Sequence, residues 1–121
     1  MAKNYEIAVL IDFYGEMLTA KQRDFLEYYY NDDLSLSEIA ENEGITRQGV
    51  RDAIKRAETQ LQDMESRLGM AKRFEEMRQG LSEIIECSNM IAEHNLRHSL
   101  SKEISDSCVR IKAAAMTMLE S

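Results

Sequence analysis

A chain of 121 residues, 44% apolar and 31% charged, carries enough apolar material for a core and is not disordered by composition. Proline is absent and β-branched residues never gather into alternating runs, which favours long helices and argues against a β-sheet. The formal net charge of −7 argues against a uniformly basic polyanion binder, although charge can still be local.

In chain order, Ile7, Leu10, Ile11 and Tyr14 recur at i, i+3, i+4 and i+7, which predicts an amphipathic helix over residues 4–17. Thr19 with Gln22 has the form of a capping box, opening a second helix to about Tyr30 that buries Phe25, Leu26 and Tyr29. Asn31, Asp32 and Asp33 are turn formers. Ser35 with Glu38 is a second capping box, for a short helix to about Glu43, and Gly44 follows where a left-handed residue costs least. Thr46 then caps a helix of about 22 residues, ended by Gly69, in which Val50, Ile54, Ala57, Leu61, Met64 and Leu68 form a heptad-like seam.

The seam pattern returns twice. Phe74, Met77, Leu81, Ile84, Ser88 and Ile91 carry it first, then Ile104, Cys108, Ile111, Ala115 and Met118, with polar residues Asn95–Ser101 expected to form a loop between them. The chain therefore reads as all-α: a four-helix N-terminal unit over 1–69, with a helix-turn-helix near 35–57, and a C-terminal helical hairpin over 70–121. The seams exceed what one short hairpin must bury, so self-association through residues 57–118, giving a homodimer, stays open.

Residues Leu34–Glu58 meet the demands of a helix-turn-helix together. Ala40 is small where two helices cross, Gly44 suits the turn, and Ile39, Ile45, Val50 and Ile54 can lock the second helix onto the first. Arg47, Gln48, Arg51 and Lys55 would then face outward, with Gln48, Arg51 and Lys55 spaced i, i+3 and i+7 along two turns. Such a helix fits the DNA major groove, where Arg reads guanine, Gln reads adenine and Lys contacts phosphate or guanine. Thr46 and the free N–H groups of the helix start could hold a phosphate. Residues 46–57 hold four cations against Asp52 alone, a local excess of three, while the rest of the chain carries a net −10. The same residues would also serve as solubilising groups on a helical hairpin, and Asp52 and Gly49 count against DNA: one repels phosphate, the other loosens the first turn by up to about 1 kcal/mol.

The stretches DFYGEMLTAKQRDFLEYYYNDD (residues 12–33) and SLSEIAENEGITRQGVRDAIKRAE (residues 35–58) resemble the YlxM-type family of bacterial helix-turn-helix proteins, itself similar to region 4 of sigma factors. The resemblance spans residues 10–75; the remainder matches only in being helical. It implies a sigma-region-4-like helical fold without a wing and a nucleic-acid-binding, regulatory role connected with the signal recognition particle, DNA ahead of RNA. An alternative from another class is an adaptor that binds the particle's protein or RNA without binding DNA.

No other constellation supports chemistry. His94 and His98 stand i, i+4, but the helix is expected to end between them and no H-E-x-x-H pattern is present. Cys87 and Cys108 lack C-x-x-C partners and occupy helical positions compatible with burial. Tyr28, Tyr29 and Tyr30 suit core packing better than base stacking. Glu75, Glu76, Glu41 and Glu43 look like solvated faces. The sequence is read as non-enzymatic, with no catalytic residue, cofactor or metal. No apolar run approaches the ~18 residues a membrane span needs, so a reduced, cytoplasmic setting is expected.

Overall fold

The computed structural model describes residues 3–120. Six helices follow in order, α1 (Glu6–Tyr14), α2 (Ala20–Tyr30), α3 (Leu36–Glu43), α4 (Arg47–Leu68), α5 (Met70–His98) and α6 (Lys102–Glu120), with a 3-10 turn at Gly15–Met17 and no strand among the described residues. The helix expected over 4–17 is thus shorter: it stops at Tyr14 and tightens into the 3-10 turn, after which Leu18 swings into the core. Contacts divide the chain into two units, one ending at Ala71 and one starting at Lys72.

Caps fix the helix starts in the N-terminal unit. Thr19 Oγ1 accepts from the Gln22 N–H while Gln22 accepts from the Thr19 N–H, and Ser35 and Glu38 repeat the arrangement for α3. Each box satisfies two backbone donors that a helix start otherwise leaves orphaned. Gly44 and Gly69 close α3 and α4 at φ +67° and +61°, the left-handed region that glycine enters without a Cβ penalty.

The long α4 is the hub of this unit, because α1, α2 and α3 all pack on it. Val50, Ile54, Ala57 and Leu61 are fully buried against Ile7, Tyr14, Leu26 and Ile39, among others. Removing these side chains from water is the main stabilising term of the fold. Tyr29 is buried, and Tyr28 and Tyr30 lie half-buried against the same cluster, so the tyrosine run serves the core. The seam expected to reach Leu68 stops at Met64; Leu68 is exposed, beyond the level of Glu65 where α1 ends.

Three polar clusters complete the unit. The buried Tyr14 hydroxyl donates to Glu65 Oε1 at 2.6 Å and accepts from the Met70 N–H at 3.1 Å, while the same carboxylate oxygen accepts from the Ala71 N–H at 3.0 Å. Two orphan donors at the start of α5 are thereby satisfied by side chains far away in sequence. Tyr30 Oη donates to Glu58 Oε1 at 2.5 Å and accepts from the Asn4 N–H. Lys3 pairs with Asp33 and stands 4.7 Å from the Tyr29 ring centre.

In the C-terminal unit α5 runs on to His98, so the loop expected at Asn95–Ser101 shrinks to Ser99–Ser101. The reason is Asn95 itself. Its buried side-chain amide donates to Ser101 O and Ser105 Oγ and accepts from the Ser101 N–H, so the residue ties α5 to α6 instead of facing solvent. Ser88 Oγ donates to Cys108 O one heptad earlier. These contacts run the two helices antiparallel in register, with Leu81 level with Ala115. Cys108 is buried as expected, but Cys87 is exposed, one position around the helix from the buried Ser88.

Candidate nucleic-acid interface

The helix-turn-helix consists of α3, a turn at Gly44–Thr46 and the first three turns of α4. Ala40 is buried at the contact, and its carbonyl accepts from both the Gly44 and the Ile45 N–H, wrapping the chain back sharply. Ile39, Val50 and Ile54 lock the two helices together. Ile45, expected to share that task, is 39% exposed, because the tight turn places it at the rim.

Thr46 caps α4 by accepting from the Gly49 N–H at 3.0 Å. The N–H groups of Arg47 and Gln48 are left without intrahelical acceptors, as at any helix start. Gly49 has a local reason here: a Cβ on it would stand 3.1 Å from Thr46 Oγ1, so its bareness makes room for the cap. This role stands beside the helix-propensity cost of a glycine in the first turn.

Arg47, Gln48 and Lys55 are exposed, and Arg51 is half-buried. Arg56, not among the stripe residues, is exposed on the far flank of the same helix. Among the described residues no salt bridge engages Arg47, Arg51, Lys55 or Arg56. Gln48 is the exception to this freedom, since its Nε2 donates to Asp52 Oδ1 at 2.9 Å. Asp52 thus lies beside the stripe and holds one of its readers, a link whose i, i+4 spacing was visible in the sequence.

Elsewhere the structure offers less. His94 and His98 both stand on α5, with ring centres 4.3 Å apart, since the helix does not end between them. No cluster of three or more His, Cys, Asp or Glu that could hold a metal occurs among the described residues. Glu41, Glu43, Glu75 and Glu76 are exposed. No helix among the described residues is long and apolar enough to cross a membrane.

An all-helical chain with this turn and this exposed second helix belongs to the helix-turn-helix class. The profile described as "Putative helix-turn-helix protein, YlxM / p13 like", family UPF0122, matches residues 1–104. The chain is a member of that family. The match runs well past residue 75, through the whole of α5 and into α6, so the C-terminal unit shares more with the family than helical character. Related UPF0122 proteins include one from Desulforamulus reducens, 45% identical over 70% of this chain and 73% of the relative. Another, from Caldanaerobacter subterraneus, is 49% identical over 67% of this chain and 69% of its own length. A third, from a Thermoanaerobacter species, is 42% identical over 83% of this chain and 86% of its own.

Proposed function

We propose that this protein is a DNA-binding regulator whose α4 enters the major groove. The observation that carries the reading is the set of exposed Arg47 and Lys55 with half-buried Arg51 on the second helix of a helix-turn-helix, none of them in a salt bridge among the described residues. Arg47 and Arg51 contact guanine edges or phosphate, Gln48 reads adenine once it leaves Asp52, and Lys55 meets the backbone. Thr46 and the N–H groups beside it position a phosphate. The family resemblance supplies the candidate targets, genes that encode or assemble signal recognition particle components. Binding should weaken steeply with salt. Arg51→Ala should cost about 1–3 kcal/mol, and Lys55→Ala should lower the salt slope by about one. Selection from a random DNA pool followed by titration checks this, and unchanged binding in the Arg47→Ala, Arg51→Ala double variant would reject it.

A second reading rests on α3. In a DNA-bound helix-turn-helix the first helix crosses the phosphate backbone, yet here it exposes Glu38, Glu41 and Glu43 and carries no cation. That charge suits a basic protein partner, and makes the chain an adaptor that binds the signal recognition particle protein. Recovery of the same partner from a lysate with and without nuclease favours the adaptor; recovery lost with nuclease favours nucleic acid.

A further inference from the structure

The heptad pattern of the C-terminal unit divides into two sets with different fates. One position per heptad faces the partner helix: Ser88 and Asn95 on α5 and Cys108 and Ala115 on α6 are buried there and are small or polar, while Leu81, one heptad before Ser88, is half-buried. The companion position holds large apolar side chains, Met77, Ile84 and Ile91 on α5 and Ile104, Ile111 and Met118 on α6. Every one of these six stays between 39% and 53% exposed. They share one side of the hairpin, where Ile84, Ile91 and Ile111 line a groove of about 340 Å³. Isolated exposed apolar residues are ordinary, but an aligned stripe over three heptads is the mark of an interface.

We infer that this stripe is the seam of a homodimer, in which two hairpins close into a four-helix bundle with α5 of each copy lying on α6 of the other. The flanks of the stripe decide in favour of a second copy. Next to it stand Gly80, Cys87, Ser107 and Ala114, small and uncharged, which lets a second pair of helices approach to bundle distance. Outside them lie Glu83 and Arg97 on α5, and Glu103 and Arg110 on α6. On the register fixed by Ser88 with Cys108 and Asn95 with Ser101, Arg110 is level with residue 86 and Glu103 with residue 93. A twofold axis parallel to the helices then sets Glu83 of one copy within about one turn of the other copy's Arg110, and Arg97 likewise beside its Glu103. Arg97, which bonds Glu93 on its own exposed helix face, is free to exchange that contact for the new one. Each pairing occurs twice by symmetry. Helices of this length meeting along one face bury on the order of 800 Å² a side, the size of a standard stable interface.

The interface stands apart from any nucleic-acid role, so it is tested on the full chain without nucleic acid. Sedimentation equilibrium from low micromolar to several hundred micromolar should show reversible dimerisation, and Ile84→Glu should give a monomer with unchanged helix content. Glu83→Arg alone should weaken the dimer about tenfold, and adding Arg110→Glu should restore it. As an independent readout, alkylation of the exposed Cys87 should slow as concentration rises, with the buried Cys108 as internal reference. A chain that stays monomeric throughout, an Ile84→Glu variant that still dimerises, or a double charge exchange that recovers nothing overturns the proposal. So does a stripe shielded only when another protein is added.

Discussion

In the N-terminal unit three helices cover the apolar face of α4, and Val50, Ile54, Ala57 and Leu61 lose all contact with water. In the C-terminal unit, α5 and α6 carry the same heptad-like spacing, yet each has one partner within the unit, and Met77, Ile84, Ile91, Ile104, Ile111 and Met118 stay 39–53% exposed. Spacing thus specifies a face, while burial depends on how many neighbours reach it. The polar groups follow the same division. In the N-terminal unit Tyr14 joins Glu65, 51 positions away, whereas the bonds between α5 and α6 span less chain: Asn95 joins residues six and ten positions away and Ser88 joins one twenty positions away. One unit is held by a core and the other by a seam with polar pins.

The contrast is most exposed to truncation. Ile54→Ala or Leu61→Ala should destabilise the chain by about 2–5 kcal/mol, whereas Ile84→Ala in dilute solution should cost under about 1 kcal/mol. Thermal or urea unfolding measures both, and equal losses would erase the distinction. Next in size, Asn95→Ala removes three hydrogen bonds and leaves the Ser101 N–H without its acceptor, a cost of about 1–3 kcal/mol. Hydrogen exchange should show the loss at residues 96–105 and leave the amides of α1–α4 unchanged. Thr46→Ala should cost about 1 kcal/mol by uncapping α4, with faster exchange at Gly49 as its local sign.

The finest discrimination comes from alkali. Burial, then the hydrogen bonds to Glu65 and Glu58, raises the Tyr14 and Tyr30 hydroxyls above their ordinary value of 10.0. The folded state favours the neutral phenol, so this stabilisation is complete below pH 10 and is lost as pH rises toward the folded values. All five tyrosines precede Ala71, so alkaline loosening above pH 10 should begin in the N-terminal unit. Exchange or fluorescence probes placed in each unit would reveal it, and Tyr30→Phe should reduce it. Simultaneous loss of both units would show that they unfold as one.

Much of this was legible in the residues because the rules involved are local. A hydroxyl three residues before Gln or Glu makes a cap, glycine after a helix makes a left-handed stop, and apolar spacing makes a face. Thr19, Ser35, Gly44, Gly69 and the inward residues of α4 all follow. The stripe of Gln48, Arg51 and Lys55 was equally readable as a face from helical periodicity, whereas Arg47, seven positions before Ile54, shares that residue's side of the helix and is exposed as the first residue of α4. The bond from Gln48 to Asp52 was missed although its spacing was open to view, because a spacing permits a contact without requiring it.

What the amino-acid order determined by itself is the helical class, the capping of α2, α3 and α4, and which faces are apolar or cationic, since each depends on neighbours within a few positions. The tertiary structure decided the rest: that Tyr14 and Glu65 cap α5, that Gly49 makes room for Thr46, that Asn95 extends a helix where a polar loop was expected, and that Cys87 faces out while Cys108 faces in. These outcomes depend on which atoms arrive from distant parts of the chain, and a polar residue such as Asn95 is loop-forming or helix-binding according to the partners it meets.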